Sequence, residues 1–306
     1  MESTDVLIIG GSYAGLSAAL TLARSLRQVL VIDAGQPCNR QTPHSHNFIT
    51  HDGTPPALIA DRAREQVLAY PTVSFVHDFA TEAARINSGF VVTTQSGRQY
   101  KARKVLLATG VVDQLPVIDG LAECWGISAL HCPYCHGYEV AGQRIGVLAN
   151  GDLAVEMVRL IQQWSKQVTL FTNGPATFSQ EQKTLFQQLN VPVAESPVLA
   201  VVHQEGQVQH LQLADGSAQA VDALFVRPVV AHRNPLAEQL GCESNDMKLI
   251  QANEFGQTNV PGLYVAGDNS FPLRAVSVAV ANGMKAGSFV NRELIEEDLI
   301  ERLGAD

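Results

Sequence analysis

A short apolar strand, a glycine-rich turn and a helix open this chain, and together they limit its fold more than any other feature. Residues 5–9 read Asp-Val-Leu-Ile-Ile, a short apolar run of the kind expected for a parallel strand that is buried on both faces. The turn Gly10–Gly15 follows, and residues 16–26 then carry Ala and Leu at helical spacing. Helix N–H groups behind such a turn bind anions, so the pattern predicts a nucleotide-binding βαβ unit.

The turn also suggests roles for individual residues. Gly10 occupies the tight-turn position, and Gly15 the position that lets the helix approach the strand closely. Ser12 stands where the middle glycine is usual, which is a departure from the motif. Asp33, at the end of the second strand, is placed to bind ribose hydroxyls. A pyrophosphate is expected over the turn residues Gly10, Ser12, Tyr13, Ala14 and Gly15.

A second strand, turn and helix begins near Arg144. The strand is predicted over residues 145–148, the turn over 149–152 and the helix over about 153–166. Two such starts predict two nucleotide-binding domains. Other predicted elements are a hairpin around Ser96-Gly97 with strands at 90–94 and 98–101, strands at 104–108, 168–171 and 260–266, a helix capped by Ser179 and Gln182, and a helix over 275–291.

Composition argues against several classes of protein. The chain has 306 residues, of which 46% are hydrophobic and 17% charged, so it can bury a large core. Its net charge of −9 argues against a nucleic-acid-binding surface, which requires clustered positive charge. No apolar run approaches the roughly 20 residues of a membrane span, and the N-terminus lacks the pattern of a signal peptide. We therefore expect a soluble, cytoplasmic protein without an integral membrane segment.

Two of the cysteines form a Cys-x-x-Cys pair. The five cysteines are Cys38, Cys124, Cys132, Cys135 and Cys242, a set too sparse for a disulfide framework. The pair Cys132–Cys135 is either redox-active or half of a metal site. A zinc site needs four ligands, and the chain offers only His131 or His136 nearby, without a second Cys-x-x-Cys or a His-x-x-x-His. A redox pair is favoured, since adjacent imidazoles lower the pKa of a thiol.

Two further segments indicate which nucleotide binds. Residues 106–110 read Leu-Leu-Ala-Thr-Gly, and residues 263–268 read Leu-Tyr-Val-Ala-Gly-Asp. Both segments recur in flavoproteins whose adenine-binding domain is split around an inserted domain, and together they favour FAD. Asp268 is expected to bond the ribityl chain, and the helix after it to point its N-terminus at the isoalloxazine ring. The candidate contacts here are Thr109, Gly110, Gly267 and Asp268.

The order of these motifs resembles the low-molecular-weight thioredoxin reductases over the whole chain. The resemblance implies an α/β fold of two Rossmann-like (three-layer ββα/βαβ) nucleotide-binding domains, the second inserted in the first. It implies a discontinuous FAD-binding domain at 1–112 and 232–306, and a pyridine-nucleotide-like domain carrying the cysteine pair at 113–231. It also implies one bound FAD and a homodimer.

The resemblance further implies roles for the residues around the cysteine pair. Cys135 is the sulfur that faces the flavin, and Cys132 is the one that exchanges with substrate. His136 stands where thioredoxin reductases have Asp, and a neutral imidazole is the better base for removing a thiol proton near pH 7. Arg274 matches the Arg of the family's flavin-contacting Arg-Gln-Ala motif, whereas Gln has become Ala275.

The inserted domain departs from the family pattern where NADPH would bind. Ala149 replaces the first glycine of the Gly-x-Gly-x-x-Ala turn, and Gly151 and Ala154 keep the other two positions. Residues 172–174 read Thr-Asn-Gly where the family has His-Arg-Arg for the 2′-phosphate. Losing two arginines removes contacts of roughly 1.5–3 kcal/mol each. No Asp or Glu replaces them, so the segment does not favour NADH either.

The same features resemble a divergent branch of the family. Cys-x-x-Cys-His-Gly-Tyr-Glu and the Thr-Asn-Gly strand end are shared with the gliotoxin- and holomycin-type dithiol oxidases and the diflavin-linked disulfide oxidoreductases. The branch implies oxidation of a dithiol, with electrons leaving through flavin to oxygen or another acceptor. The vacated nucleotide site and the aromatic Tyr13 permit a second FAD without demonstrating one.

The leading hypothesis is therefore an FAD-dependent disulfide/dithiol oxidoreductase that works independently of NAD(P)H, in the dithiol-oxidising direction. Its electrons pass between the Cys132–Cys135 pair and flavin, and its substrate is a small molecule or a thioredoxin-like protein. Three alternatives stay open: an NADPH-dependent thioredoxin reductase, a non-enzymatic flavin/thiol redox sensor, and a metal-binding module. The sequence does not name the dithiol or the terminal electron acceptor.

Three side features complete the expectations. Cys38, just past Asp33, is predicted to be a buried, inert thiol in preference to a third reactive one. A stretch resembling the branch's flavin-proximal loop holds three histidines that either serve the flavin or are solvated: His44, His46 and His51. The acidic residues near the C-terminus are predicted to form a solvated helix face: Glu296, Glu297, Asp298 and Glu301.

Overall fold

The computed structural model describes residues 2–304, which divide into two units. Unit 1 consists of the chain up to Arg40, Pro56–Val112 and the chain from Val230 onward. Unit 2 consists of Gln41–Pro55 and Asp113–Val229. The grouping differs from the predicted domain boundaries chiefly at Gln41–Pro55, which leaves unit 1 and belongs to unit 2.

Strands and helices alternate in both units. The strands are β1 Glu2–Ile9, β2 Val29–Asp33, β3 Val73–His77, β4 Ala80–Ile86, β5 Gly89–Thr94, β6 Gln99–Leu107, β7 Val111–Gln114, β8 Ala129–Leu130, β9 Ile145–Leu148, β10 Val168–Phe171, β11 Val193–Ala194, β12 Val198–Gln204, β13 Gln207–Leu213, β14 Ala218–Ala220, β15 Ala223–Val226, β16 Val229–His232 and β17 Leu263–Val265. The helices are α1 Tyr13–Arg24, α2 Pro56–Leu68, α3 Leu121–Cys124, α4 Pro133–His136, α5 Gly151–Ile161, α6 Gln180–Gln188, α7 Leu236–Gln239 and α8 Val276–Leu303.

Unit 1 is built on a seven-stranded sheet whose parallel part has the order β3-β2-β1-β6. β6 then pairs with β17 in parallel and with the antiparallel hairpin β5–β4. β1 lies at the centre, and its residues Leu7 and Ile8 are fully buried. Because both faces of β1 are covered, its continuous apolar run fits a parallel strand, as predicted.

The sequence predicted two strands at 98–101 and 104–108, whereas the structure has the single strand β6. The physical reason is pairing. β1 runs alongside both halves of β6, from Glu2 opposite Tyr100 to Ile9 opposite Leu107. The first half of β6 also pairs with β5 and the second half with β17, so the pairing partner changes without a break in the strand.

The C-terminal helix is longer than predicted and its acidic residues are not all solvated. α8 continues to Leu303, and Lys104 on β6, which is only 4% exposed, contacts the carboxylates of Glu293 at 3.1 Å and Glu297. Arg103 pairs with Asp298 at 2.7 Å. The predicted solvated face is therefore wrong for Glu297 and Asp298, because a buried cation requires paired carboxylates.

The packing of α8 on α1 depends on glycine. A Cβ atom on Gly283 would lie 2.0 Å from the carbonyl oxygen of Ala14, and one on Gly287 would lie 3.0 Å from that of Ala18. The contact also includes a hydrogen bond from Ser17 Oγ to the carbonyl oxygen of Val280 at 2.7 Å. The two backbones therefore approach more closely than any side chain at position 283 would permit.

Unit 2 repeats the parallel architecture on a smaller scale. Its five-stranded parallel sheet has the order β11-β10-β9-β15-β8, and β12, β13 and β14 form a separate antiparallel sheet. Hydrophobic clusters around Leu224 on one side and Phe225 on the other cover the central strands. The predicted capping box of Ser179 and Gln182 begins α6. Two Rossmann-like units, the second inserted in the first, confirm the predicted α/β class.

Two further observations complete the description of the strands and helices. β7 and β16, which lie where the chain passes between the units, pair as a two-stranded sheet. Within residues 2–304, no helix combines the length and apolarity that a membrane crossing needs.

We predict that Gly283→Ala lowers the free energy of unfolding by about 1–3 kcal/mol, because the added methyl group overpacks the contact between α1 and α8. The matched control is Ser288→Ala on the exposed face of the same helix, which should change stability by less than about 0.5 kcal/mol. Denaturant titration followed by circular dichroism measures both. Equal denaturation midpoints for the two variants would contradict the close approach of the α1 and α8 backbones.

Candidate active site

The glycine turn of unit 1 is formed as the motif requires. Gly10 has a φ of +110°, and a Cβ atom there would lie 2.1 Å from the carbonyl oxygen of Ala108. A Cβ atom on Gly15 would lie 1.8 Å from the carbonyl oxygen of Gly10. Ser12, the N-cap of α1, makes no side-chain cap hydrogen bond. The N–H groups of the first turn therefore face the space over the turn without a side-chain acceptor from the N-cap.

Asp33 holds the glycine turn from the adjacent strand. Its Oδ1 accepts a hydrogen bond from the N–H of Gly11 at 2.9 Å, and its Oδ2 accepts one from the N–H of Gly35 at 3.0 Å. The sequence predicted a carboxylate for ribose hydroxyls at this position. In the structure the same carboxylate also orders the backbone of the glycine turn after β1 and of the segment just after β2, which the sequence did not reveal.

Tyr13 is used within the protein. It is 8% exposed, its hydroxyl donates to the carbonyl oxygen of Pro56 at 3.1 Å, and it accepts from Asn39 at 3.3 Å. Burial raises the pKa of Tyr13, so the hydroxyl stays protonated. Its aromatic ring therefore belongs to the packing of α1 against the start of α2.

A second group of predicted flavin contacts gathers where β6 and β17 end. The Asp268 carboxylate lies 3.4 Å from Arg274 Nε and 3.9 Å from Cys38 Sγ. Cys38 is half-buried, so the prediction of a buried thiol is wrong in that respect, because this sulfur lies beside the Asp268 carboxylate and not in the core. Its inertness stays a prediction. Gly110 and Gly267 both have positive φ, and Ala275 is the N-cap of α8.

Asn269, which the sequence did not single out, completes this group. It is fully buried, and its Nδ2 donates to the carbonyl oxygen of Leu107 at 2.9 Å and to Thr109 Oγ1 at 3.3 Å. Its Oδ1 has no hydrogen-bond partner among the described residues. A buried, unpaired amide oxygen beside Thr109 and Asp268 fits a site that a polar ligand completes.

The residues of unit 1 therefore fit a dinucleotide such as FAD. They offer an uncapped helix N-terminus behind a glycine turn, a carboxylate at Asp268, a cation at Arg274 and the unpaired oxygen of Asn269. Positive charge and N–H groups suit a pyrophosphate, and the carboxylate suits hydroxyl groups.

In unit 2, Cys132 and Cys135 form a disulfide with a Cα–Cα distance of 5.3 Å. Cys132 is the N-cap of α4, and its Sγ accepts a hydrogen bond from the N–H of Cys135 at 3.2 Å. Pro133 occupies the first helical position, where its missing N–H costs nothing. The same N–H would stabilise the charge that develops transiently on Cys132 Sγ as this sulfur leaves a mixed disulfide with substrate.

His136 ends α4, next to the disulfide. Burial lowers the pKa of His136 below its usual value of 6.5, Glu139 opposes that shift, and His46 adds to it. Its imidazole is therefore neutral at pH 7 and able to accept a proton. His46 reaches this place from the segment Gln41–Pro55 and lies edge-on to His136, with 6.3 Å between the ring centroids.

The other histidines near the pair have different neighbours. His131 stacks on Trp125 with 5.8 Å between ring centroids, and Tyr134 packs edge-on against Trp164 at 5.7 Å. Across residues 2–304, no three His, Cys, Asp or Glu side chains are grouped so as to hold a metal ion. The arrangement around the pair thus offers thiol exchange and proton transfer.

The glycine turn of unit 2 is closed by a residue that the sequence did not reveal. Asn150 Oδ1 accepts from the N–H of Gly151 at 2.9 Å and from the N–H and Oγ1 of Thr177 at 3.0 and 3.1 Å. Its Nδ2 donates to the carbonyl oxygen of Pro175 at 2.9 Å. A single side chain therefore ties the start of α5 to the segment that follows β10.

That segment is also bonded internally. Thr172 Oγ1 donates to the carbonyl oxygen of Gly174 at 2.7 Å, and Asn173 Oδ1 accepts from the N–H of Val198 at 2.8 Å. The carboxylate of Asp152 lies in the first turn of α5 and accepts from Gln182 at 2.6 Å. No Lys or Arg is present in residues 172–177. A helix start with a carboxylate and an internally bonded neighbour is poorly suited to phosphate.

Comparison with known proteins gives a consistent result. The profile of the pyridine nucleotide-disulphide oxidoreductase family matches residues 4–283. The chain is 34% identical over 304 residues to the thioredoxin reductase tcpT of Claviceps purpurea. The alignment covers 96% of this chain and 95% of that protein.

Two solved structures extend the likeness to three dimensions. HlmI aligns with a TM-score of 0.94 and 34% identity over 99% of this chain and 96% of its own. An oxidoreductase from Agrobacterium tumefaciens aligns with a TM-score of 0.90 and 37% identity over 96% of this chain and 99% of its own. These matches confirm the resemblance to thioredoxin reductase-like flavoproteins and to their divergent branch. The chain belongs to the pyridine nucleotide-disulphide oxidoreductase family, as a flavin-dependent, thioredoxin reductase-like disulfide oxidoreductase.

Proposed function

We propose that this protein oxidises dithiols through its Cys132–Cys135 disulfide and passes the electrons to FAD without using NAD(P)H. The observation that carries the proposal is the closure of the unit 2 glycine turn by Asn150. The N–H of Gly151, which would face a pyrophosphate in a functional turn, is already bonded to the side chain of Asn150. A nucleotide would have to break that hydrogen bond before it could form its own.

The electrostatics of unit 2 support the same conclusion. A 2′-phosphate would meet Thr172, Asn173 and Gly174, which carry no positive charge, and its pyrophosphate would meet the carboxylate of Asp152. Like charges at a helix N-terminus oppose binding, whereas the family's arginines would add roughly 1.5–3 kcal/mol each. Both differences reduce the affinity for NADPH.

The direction of the reaction is supported by the acid–base state of the site. His136 is neutral at pH 7 because burial lowers its pKa, so it takes a proton from a substrate thiol. The substrate thiolate attacks Cys132 Sγ and displaces Cys135 as a thiolate. The second substrate thiol then attacks the mixed disulfide and releases Cys132, whose sulfur takes the proton of that thiol. Two substrate S–H bonds are lost and one substrate S–S bond forms, while the protein gains two electrons, one proton on Cys132 and one on His136.

FAD would be held by unit 1. The turn residues Gly10–Gly15 and Asp33 would surround its pyrophosphate and ribose, and Asp268 and Arg274 would contact its flavin half. When bound, FAD supplies a two-electron acceptor for the dithiol form of the cysteine pair. We further propose that the protein acts in the cytoplasm as a homodimer, as the family resemblance implies.

Two other functions make different demands. An NADPH-dependent thioredoxin reductase needs an open nucleotide site in unit 2, which the hydrogen bonds of Asn150 disfavour. A flavin/thiol redox sensor would be oxidised and reduced stoichiometrically without turnover in air. The dithiol substrate is either a small molecule or a thioredoxin-like protein.

Of the predictions that follow from the proposed function, the first concerns the electron donor. In an anaerobic titration, dithiothreitol is expected to bleach the flavin absorbance near 450 nm, whereas NADPH is not. The reason is that dithiothreitol can react with the Cys132–Cys135 disulfide, whereas the Asn150 side chain occupies the turn where NADPH would bind. Cys132→Ser and Cys135→Ser should each abolish bleaching by dithiothreitol. Rapid bleaching by micromolar NADPH would contradict the proposal. Flavin per chain, measured on the same sample, distinguishes one FAD from two.

The second prediction concerns the closed turn. Thr172→His combined with Asn173→Arg restores two family residues and leaves Gly174, whose φ of +133° disfavours a side chain. This variant should still resist NADPH, because Asn150 holds the turn closed. Adding Ala149→Gly and Asn150→Ala should then permit detectable NADPH binding by calorimetry. If the first pair of changes alone confers binding, the closure by Asn150 is not the obstacle.

The third prediction concerns flavin retention. Asp33→Ala removes the acceptor of the Gly11 and Gly35 N–H groups, and hydrogen bonds to a charged group contribute about 1.5–3 kcal/mol each. FAD affinity is therefore expected to fall at least about tenfold, as measured by flavin fluorescence during reconstitution. Asp61→Ala, an exposed carboxylate on α2, is the control. Equal affinities would contradict the assigned role of Asp33.

A further inference from the structure

The segment Gln41–Pro55 brings an imidazole to the redox pair from a distant part of the sequence. Both ends of the segment adjoin unit 1, yet the segment belongs to unit 2. It is closed on itself by an isolated bridge between Ser45 and Thr54, with a further hydrogen bond from the Gly53 N–H to the carbonyl oxygen of Ser45 at 2.9 Å. His46 is therefore held by an ordered loop.

Both nitrogens of His46 face carboxylates. Nε2 lies 3.4 Å from Glu139 Oε1, and Nδ1 lies 3.5 Å from Asp52 Oδ1. The side chain of His46 is 20% exposed, whereas those of Glu139 and Asp52 are 39% and 69% exposed. Exposure thus increases from the imidazole toward the carboxylates, which gives a polar path from the site to solvent.

Glu139 and His46 act on His136 in opposite directions. The negative charge of Glu139 raises the pKa of His136, and the positive form of His46 lowers it. Asp52 faces His46 from within the loop, and the His44 ring lies 6.5 Å from that of His46. The imidazole of His136 therefore lies beside the His46 ring and within electrostatic range of Glu139, and both of these groups can exchange protons.

We propose that His46 and Glu139 are positioning residues that conduct the proton taken up by His136 to solvent. The inference rests on the proposed function. In the first half-reaction a dithiol loses two electrons and two protons. The Cys132–Cys135 disulfide accepts both electrons and becomes one thiol, at Cys132, and one thiolate, at Cys135. One proton stays on the Cys132 thiol and the other on His136, so His136 must release it before the next turnover.

The test is the pH dependence of a single turnover that does not require flavin reduction. Holoenzyme is mixed with dithiothreitol under anaerobic conditions and quenched with an alkylating reagent, and labelled Cys132 and Cys135 are counted by mass spectrometry from pH 5 to 9. In the wild type the rate should rise with pH through the pKa of His136, because the neutral imidazole is the base.

We expect the two variants His46→Ala and Glu139→Gln to move the pH inflection of the rate in opposite directions. His46→Ala removes the imidazole that lowers the pKa of His136, so the inflection should move to higher pH, whereas Glu139→Gln removes the carboxylate that raises this pKa and should move the inflection to lower pH. In steady-state turnover at pH 7 with dithiothreitol and an artificial electron acceptor, where His136 must lose its proton in every cycle, both variants should also be slower than the wild type by about tenfold, part of the 10²–10⁴-fold that general base catalysis contributes. His210→Ala, an imidazole on β13 of the same unit, is the control and should match the wild type.

Several outcomes overturn the inference. The inference is wrong if both variants keep the wild-type pH dependence of the rate. It is also wrong if both variants move the inflection in the same direction, because that result indicates loosened packing. Glu139→Asp, which keeps the charge, should recover the direction of the wild-type inflection, and failure to do so also counts against the proposal. If the cysteines are reduced with the expected shifts but the flavin is not bleached, the inference stands and the proposed function fails.

Discussion

The close approach of three backbones around the start of α1 is the constraint on which the flavin-binding unit depends. The carbonyl oxygen of Gly10 occupies the space of a Cβ on Gly15, and that of Ala14 occupies the space of a Cβ on Gly283. α1 is therefore held between β1 and α8 with its N–H groups in a fixed position. Asp33 adds two hydrogen bonds from β2. A turn that is ordered in advance loses little entropy when it binds an anion.

The second unit keeps the same architecture and changes its chemistry. Its strand, turn and helix are formed, and the Asn150 side chain accepts hydrogen bonds from the N–H of Gly151 at the start of α5 and from the N–H of Thr177. The unit instead carries the cysteine disulfide, with a neutral imidazole at His136. A Rossmann-like fold thus carries a cysteine disulfide beside a histidine, which illustrates why function must be argued from the site and not from the fold.

Elements that depend on local sequence could be predicted. The two strand–turn–helix starts, the hairpin around Ser96-Gly97 and the capping box at Ser179 follow from apolar periodicity and turn chemistry, which act within a few residues. The single strand β6 and the ion pairs of Glu297 and Asp298 could not be predicted. They arise from partners far along the chain, and no local pattern records which strand lies beside which.

The same distinction applies to the site. The sequence by itself determined the Cys-x-x-Cys pair, the histidine that follows it, the glycine turn and the absence of arginines in residues 172–177, because each of these is a matter of residue identity at a fixed spacing. Only the tertiary structure decided that Asn150 closes the second turn and that His46 lies beside His136. Hydrogen bonds depend on distances of about 3 Å between atoms, and rings that are 90 positions apart in the chain, such as those of His46 and His136, come to lie 6.3 Å apart only when the chain has folded.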